Sequence, residues 1–278
     1  VGLYNPTFMI MHRLHSFLFG VLGIAAFSAC SSQYAIDGNS TIADLDGQKL
    51  YLRITKDGTS RDLCLDSCEV VHGCFNFGGA VDSVAMVELY MGDYPMMPVV
   101  LENGQLFIQM DNASQQITGG PLNERLNEFL MKRSRCENEL WDINRRARNM
   151  LYEGKNLEQI VVTLDPIRNN LLTRIKNMET DFVKSNYNNV LGPGYFIRMC
   201  DNEFGFPSMN DQIYDILADA PDAFLHHPYV AHYLHMIGTT PTHFKQECLR
   251  LKEDKILNDS TLSDKQKKKA IKKLADGR

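Results

Sequence analysis

"ITGGPLNERLNEFL", residues 117–130, holds the point at which the chain changes its period. Ahead of Gly119-Gly120 the apolar residues alternate in short runs punctuated by turns; behind it they recur every three or four residues. Pro121 follows the glycine pair directly, and proline suits a first helical turn because its missing N–H would find no partner inside the helix. A strand-patterned half followed by a helix-patterned half predicts an α+β chain. We expect an N-terminal antiparallel β-sandwich or barrel-like domain over 37–118. An all-α domain over 119–278 follows, and it opens with a long helical hairpin.

Upstream of the switch, "QKLYLRIT" (48–55) sets Leu50, Leu52 and Ile54 on one face against Tyr51, Arg53 and Thr55, between Asp46-Gly47 and Asp57-Gly58 turns. "DSCEVVHGCFNFGG" (66–79) reads as a hairpin about a two-residue His72-Gly73 loop. "SVAMVELY" (83–90), "MPVVLENG" (97–104) and "QLFIQMD" (105–111) continue the series. Short strands at this spacing belong to a sandwich or a partly closed barrel.

Downstream, Leu122, Leu126, Phe129, Arg133, Cys136, Leu140, Ile143, Ala147 and Met150 form one helical stripe, in which only Arg133 is not apolar. A second stripe runs from Leu157 to Phe182, with Pro166 predicting a kink or a restart near Asp165. Two antiparallel helices of up to 30 residues would each reach about 45 Å. Gly192-Pro193-Gly194 reads as a loop, and shorter helices are expected over Tyr195–Cys200, Asn210–Ala218, Asp222–Ile237, Pro241–Leu257 and Leu262–Leu274.

The N-terminal end carries a different message. Phe17 to Ala29 is an apolar run too short to span a bilayer, preceded by His12, Arg13 and His15 and followed by Cys30. A positive start, a short apolar stretch and small residues before a cut describe a secretory signal peptide over 1–29. Residues 1–10 fit it poorly, because Asn5-Pro6 is a turn pair, and translation is expected to start at Met9 or Met11. Ser28-Ala29-Cys30 resembles a bacterial lipobox, with Phe27 where leucine is usual. The resemblance implies that Cys30 is lipidated and that 30–36 is the lipidated N-terminus and linker. The expected location is the periplasmic face of the outer membrane, held by the lipid anchor.

"DGQKLYLR", "DSCEVVHGCFNFGG", "PVVLENGQLFI" and "ITGGPLNERLNEFL", in that order behind a lipobox, resemble a β-rich domain of unknown function common in Bacteroidetes lipoproteins. In many members that domain precedes a thioredoxin-like module. The resemblance implies the fold of residues 33–130 and no activity. No Cys-x-x-Cys occurs here, and the pattern after residue 187 is helical, so the thioredoxin module is absent.

Two groups of residues are candidates for chemistry. Cys64, Cys68 and Cys74 are the candidates for redox work, but Cys64 and Cys68 sit about 13 Å apart along one strand. A disulfide needs Cα atoms within about 7 Å. The hairpin reading puts Cys64, Cys68, Phe75 and Phe77 on one core face and Cys74 on the other. "DAFLHHPYVAHYLH" (222–235) supplies His227, His232 and His235 as candidates for a metal, without the glutamate spacing of a zinc-enzyme motif. No serine-nucleophile elbow or phosphate-binding glycine loop is present. No catalytic residue, metal or cofactor is therefore expected.

The formal net charge of −5 and pI near 5.9 give nucleic acid no surface, since the clustered lysines Lys265–Lys273 sit in a short tail. The function expected is a non-enzymatic module that binds an unknown protein or small-molecule partner. The alternative is an accessory or sensor subunit for a separate thioredoxin-like thiol-redox protein.

Overall fold

In a computed structural model of the chain, residues 32–55, 62–112, 114–201 and 207–276 are described. The expected signal peptide and Cys30 lie outside them. The first half is a sandwich of two four-stranded sheets, not a closed barrel. One sheet has the order β4-β1-β7-β8, from β1 (Ser32–Ser40), β4 (Cys74–Val81), β7 (Gly104–Met110) and β8 (Gln115–Thr118). The other has the order β3-β2-β5-β6, from β2 (Lys49–Thr55), β3 (Asp62–Glu69), β5 (Ala85–Met91) and β6 (Tyr94–Leu101). Strand β1 takes in residues 32–36, which the sequence reading gave to a linker.

The sandwich departs from a purely antiparallel one at β1 and β7, which pair in parallel. Parallel neighbours need a long crossover, and here the whole second sheet supplies it. Between the sheets lie Ile36, Phe75, Phe77, Leu106 and Ile108 on one side and Leu50, Leu52, Leu89, Val99 and Leu101 on the other.

The 66–79 stretch forms the expected turn but not the expected hairpin. His72 (φ 51°) and Gly73 (φ 75°) make a two-residue turn closed by reciprocal hydrogen bonds between Val71 and Cys74. Beyond it the arms diverge, β3 joining β2 and β4 joining β1. Buried Val70, bonded to Gly47 and Gln48, marks the crossing from one sheet to the other. Cys68 therefore lies opposite Leu50, not Phe77. A register shift then pairs Leu52 with Asp66 but Arg53 with Cys64, which turns Cys64 to the outside.

Strand β6 is buried on both faces, because Val99 and Leu101 look into the sandwich while Val100 joins the helical core. That core fills the space between the second sheet and most of the eight described helices; the last helix adds nothing to it. The first two, α1 (Pro121–Tyr152) and α2 (Leu157–Ser185), are the predicted hairpin. Helix α2 runs unbroken through Pro166. The amide that proline lacks would have bonded Val162, whose side chain is 71% exposed, so water can reach that turn.

Helix α3 (Leu191–Asp201) begins earlier than expected and absorbs Gly192-Pro193-Gly194. A Cβ on Gly194 would lie 2.6 Å from the Met86 sulfur, so this glycine lets the helix settle on β5. Next come α4 (Asp211–Ala218), α5 (Asp222–Leu225), α6 (Pro228–Met236), α7 (Pro241–Asn258) and α8 (Asp264–Asp276). The single helix expected over 222–237 is thus two, because His227 caps and Pro228 restarts the second. No described helix is long and apolar enough to cross a membrane.

Candidate functional site

The described cysteines do not form a site. Cys64 is exposed on the outside of the second sheet, Cys74 is exposed on the outside of the first, and Cys68 is half-buried between them. Burial pushes the Cys68 thiol up to about 11, so at neutral pH it is protonated and a poor nucleophile. The nearby Asp66 adds to this, while a hydrogen bond from the Asn76 backbone acts in the opposite sense. Asp66, which faces inward opposite Leu52 just before the register shift, accepts from the Gly78 amide and bridges the sheets at their open edge.

Nor are the histidines gathered. His226 contacts the Asp222 carbonyl through Nδ1 at 2.9 Å, beside a depression of about 540 Å³ that the Lys245–Asp222 ion pair borders. His227 caps α6, Nδ1 accepting from the Tyr229 amide at 3.4 Å. His232 and His235 lie further along the same helix. Among the described residues no group of three or more His, Cys, Asp or Glu is placed to hold a metal ion.

Burial does hold the His227 imidazole below its ordinary value of 6.5. The folded chain thus favours the neutral ring, while the unfolded chain takes up the proton near 6.5. The stabilisation is complete above that pH and is lost as the pH falls from there through the lower folded value. Urea unfolding at about pH 7.5 and 5.5 should show lower stability in acid. His227→Asn, which keeps a capping oxygen and cannot titrate, should flatten the difference.

Two buried polar joints escaped the sequence reading. Glu102, 6% exposed, follows β6, and its carboxylate accepts from the backbone amides of Leu122 and Asn123 at 3.1 and 2.9 Å. It thus takes the place of an N-cap on α1, favoured by the helix dipole. Asn123 is fully buried; Oδ1 accepts from the Val100 amide at 2.9 Å and Nδ2 donates to the Val100 carbonyl at 2.7 Å. The second joint surrounds Glu179, which accepts from Arg133 Nε at 2.9 Å and from the Tyr195 hydroxyl at 3.1 Å. Arg133, the break in the apolar stripe, is there for this carboxylate.

These joints anchor the base of an arm. Near the base, Phe129 of α1 stacks on Phe182 of α2 at 4.0 Å between centroids, with the Tyr195 ring edge-on to both. Farther out, Cys136, Ile143, Ile160, Leu164 and Leu171 form a separate small core made only of hairpin residues. The hairpin therefore projects: α1 alone has 32 residues, about 48 Å. Its tip is tightly built, with Asn156 and Gln159 bonding each other's backbone amides in a capping box. Yet the tip presents Tyr152 at 91%, Leu157 at 71% and Val162 at 71% exposure, with Leu151 and Val161 beside them.

The arm has a direction. The Gln33 amide donates to Asn103 Oδ1, next to Glu102, so the start of β1 and the base of the arm share one end of the sandwich. From there α1 runs back along β8, Asn127 Oδ1 accepting from the Ile117 amide. The tip consequently lies away from the end where β1 begins.

Residues 34–126 match the family model described as Domain of unknown function (DUF4369). The matched stretch covers the sandwich and the first turns of α1, including Glu102 and Asn123, and leaves the rest of the arm outside. No curated protein and no solved structure matches the chain.

Proposed function

We propose that the chain is a lipid-anchored lipoprotein at the periplasmic face of the outer membrane, and that it works by binding rather than by catalysis, holding a partner protein at the tip of its arm. The observation that carries this reading is the run of exposed apolar side chains, Leu151, Tyr152, Leu157, Val161 and Val162, on either side of a capped turn. Large apolar side chains exposed together on a projection are a usual mark of an interaction site. A lipidated Cys30, two residues before β1, would hold that end of the sandwich within about 7 Å of the membrane. The arm then reaches away from the membrane toward soluble or envelope proteins.

The test places a photo-crosslinking residue at Tyr152 or Leu157 in the native host, with Thr173, on the shaft of the arm, as the control. A discrete adduct from the tip positions alone is expected. Tyr152→Ser with Leu157→Ser should weaken the isolated complex about tenfold or more, without moving the urea midpoint. Identical adducts from tip and shaft, or none from the tip, would remove the arm from the proposal.

A further inference from the structure

The outer face of the β4-β1-β7-β8 sheet has an unusual composition. One row across it, read from the strand registers, is Asn76, Asp37, Phe107 and Thr118; the next is Asn39, Gln109 and Gln116 behind Cys74. Gln105 stands on the other side of the first row. A solvated sheet face ordinarily carries lysine and glutamate of both signs. These positions carry one carboxylate and no cation, and in their place stand five carboxamides and a phenyl ring that is 50% exposed.

The face is also organised. Asp37 accepts from the Asn76 amide on one side and from Gln105 Nε2 at 2.8 Å on the other, so three side chains from three strands are held in one network. Beside it lies a depression of about 300 Å³, bordered by Asp37, Asn39, Phe107, Gln109, Gln116 and Thr118. That is the lower end of the range for small-ligand sites. With strands about 4.8 Å apart, the row of four spans about 14 Å, and neighbouring rows are about 7 Å apart.

We infer that this face binds a neutral saccharide. A carboxamide offers both a donor and an acceptor, which matches the vicinal hydroxyls of a sugar ring; a carboxylate accepts strongly from the same hydroxyls. The Phe107 ring can lie against the C–H face of the sugar. With no cation among the described positions of this face, phosphorylated, sulfated and uronic-acid ligands have nothing there to pair with, and Asp37 repels them. A protein partner would want a larger apolar centre than one phenyl ring. This site is separate from the arm, and it does not depend on the anchor.

The test uses the full chain in a detergent without a sugar headgroup. Neutral gluco-, galacto-, manno- and xylo-oligosaccharides are titrated by calorimetry and by saturation-transfer NMR, with sialylated and sulfated oligosaccharides as controls. At least one neutral class should bind with a Kd of about 1 mM or tighter. Phe107→Ala and Asp37→Ala, both at exposed positions, should each weaken it about tenfold, while Tyr152→Ser leaves it unchanged. No binding by any neutral class at 10 mM, a preference for the anionic controls, or binding indifferent to both substitutions would overturn the inference. So would the finding that Phe107→Ala abolishes self-association in sedimentation, which would make the face an interface between copies.

Discussion

Asn123→Ala is expected to destabilise the protein by about 3 kcal/mol, from the buried Val100 amide left unbonded at about 1–3 kcal/mol and two further bonds lost, while the Val100 carbonyl keeps the Glu102 amide. Strand β6 is the outer strand of its sheet, so its backbone groups at Val100 have no neighbouring strand on that side. The Asn123 carboxamide supplies what a neighbour would, one acceptor and one donor, in a fully buried position. It also donates to Glu102 at 3.0 Å, the carboxylate that caps α1. Removing the side chain therefore loosens the strand and the helix start together.

Asn123→Asp should be no better, because a second carboxylate would face both Glu102 and the Val100 carbonyl. The single tryptophan, Trp141, lies on the arm and reports it separately from strand circular dichroism. In urea the two signals should coincide in the parent chain and separate in Asn123→Ala, as the arm loses its seat on the sandwich.

The second large effect is at Glu179. Glu179→Leu should cost about 2–3 kcal/mol, because a part-buried ion pair and the Tyr195 hydroxyl's acceptor are lost together. Arg133 would keep its exposed partner Glu137 at 2.7 Å but lose the buried one. The Tyr195 hydroxyl would lose its acceptor. Burial first, and then the charge of Glu179, push the Tyr195 phenol well above its ordinary range, so it stays a donor at every physiological pH. Arg133→Met combined with Glu179→Leu should recover most of the loss, since no charge is then held inside the joint and the remaining Glu137 faces water. Full additivity of the two single costs would contradict the pairing.

The arm was the most legible part of the fold, because a stripe of apolar residues at helical spacing is a local signal. Even its one exception, Arg133, carried information, although its partner Glu179 lies 46 residues away and leaves no trace nearby. The sandwich was legible as strands and turns but not as sheets. The Val71–Cys74 turn was readable from His72-Gly73, whereas the divergence of its arms depends on which strands lie beside them. Cys64 was misplaced for the same reason, since one unpaired residue reverses every side chain beyond it.

Gly192-Pro193-Gly194 looked like a loop because the closeness of Met86, which calls for glycine at 194, is a tertiary fact. The amide-rich face was written plainly as alternating polar residues, but its assembly from β4, β1, β7 and β8 includes a parallel pair that no local pattern announces. The capping role of Glu102 was hidden in a run that reads simply as the end of a strand.

Anchoring at Cys30, with a partner held away from the membrane, is the central proposal. Mass spectrometry of the protein taken from its native membranes in mild detergent tests both at once. The account predicts a denatured mass that begins at an acylated Cys30 and a native mass that includes a bound partner, lost with Tyr152→Ser and Leu157→Ser. An unmodified chain still carrying residues 11–29, with no added mass in the native state, would contradict it.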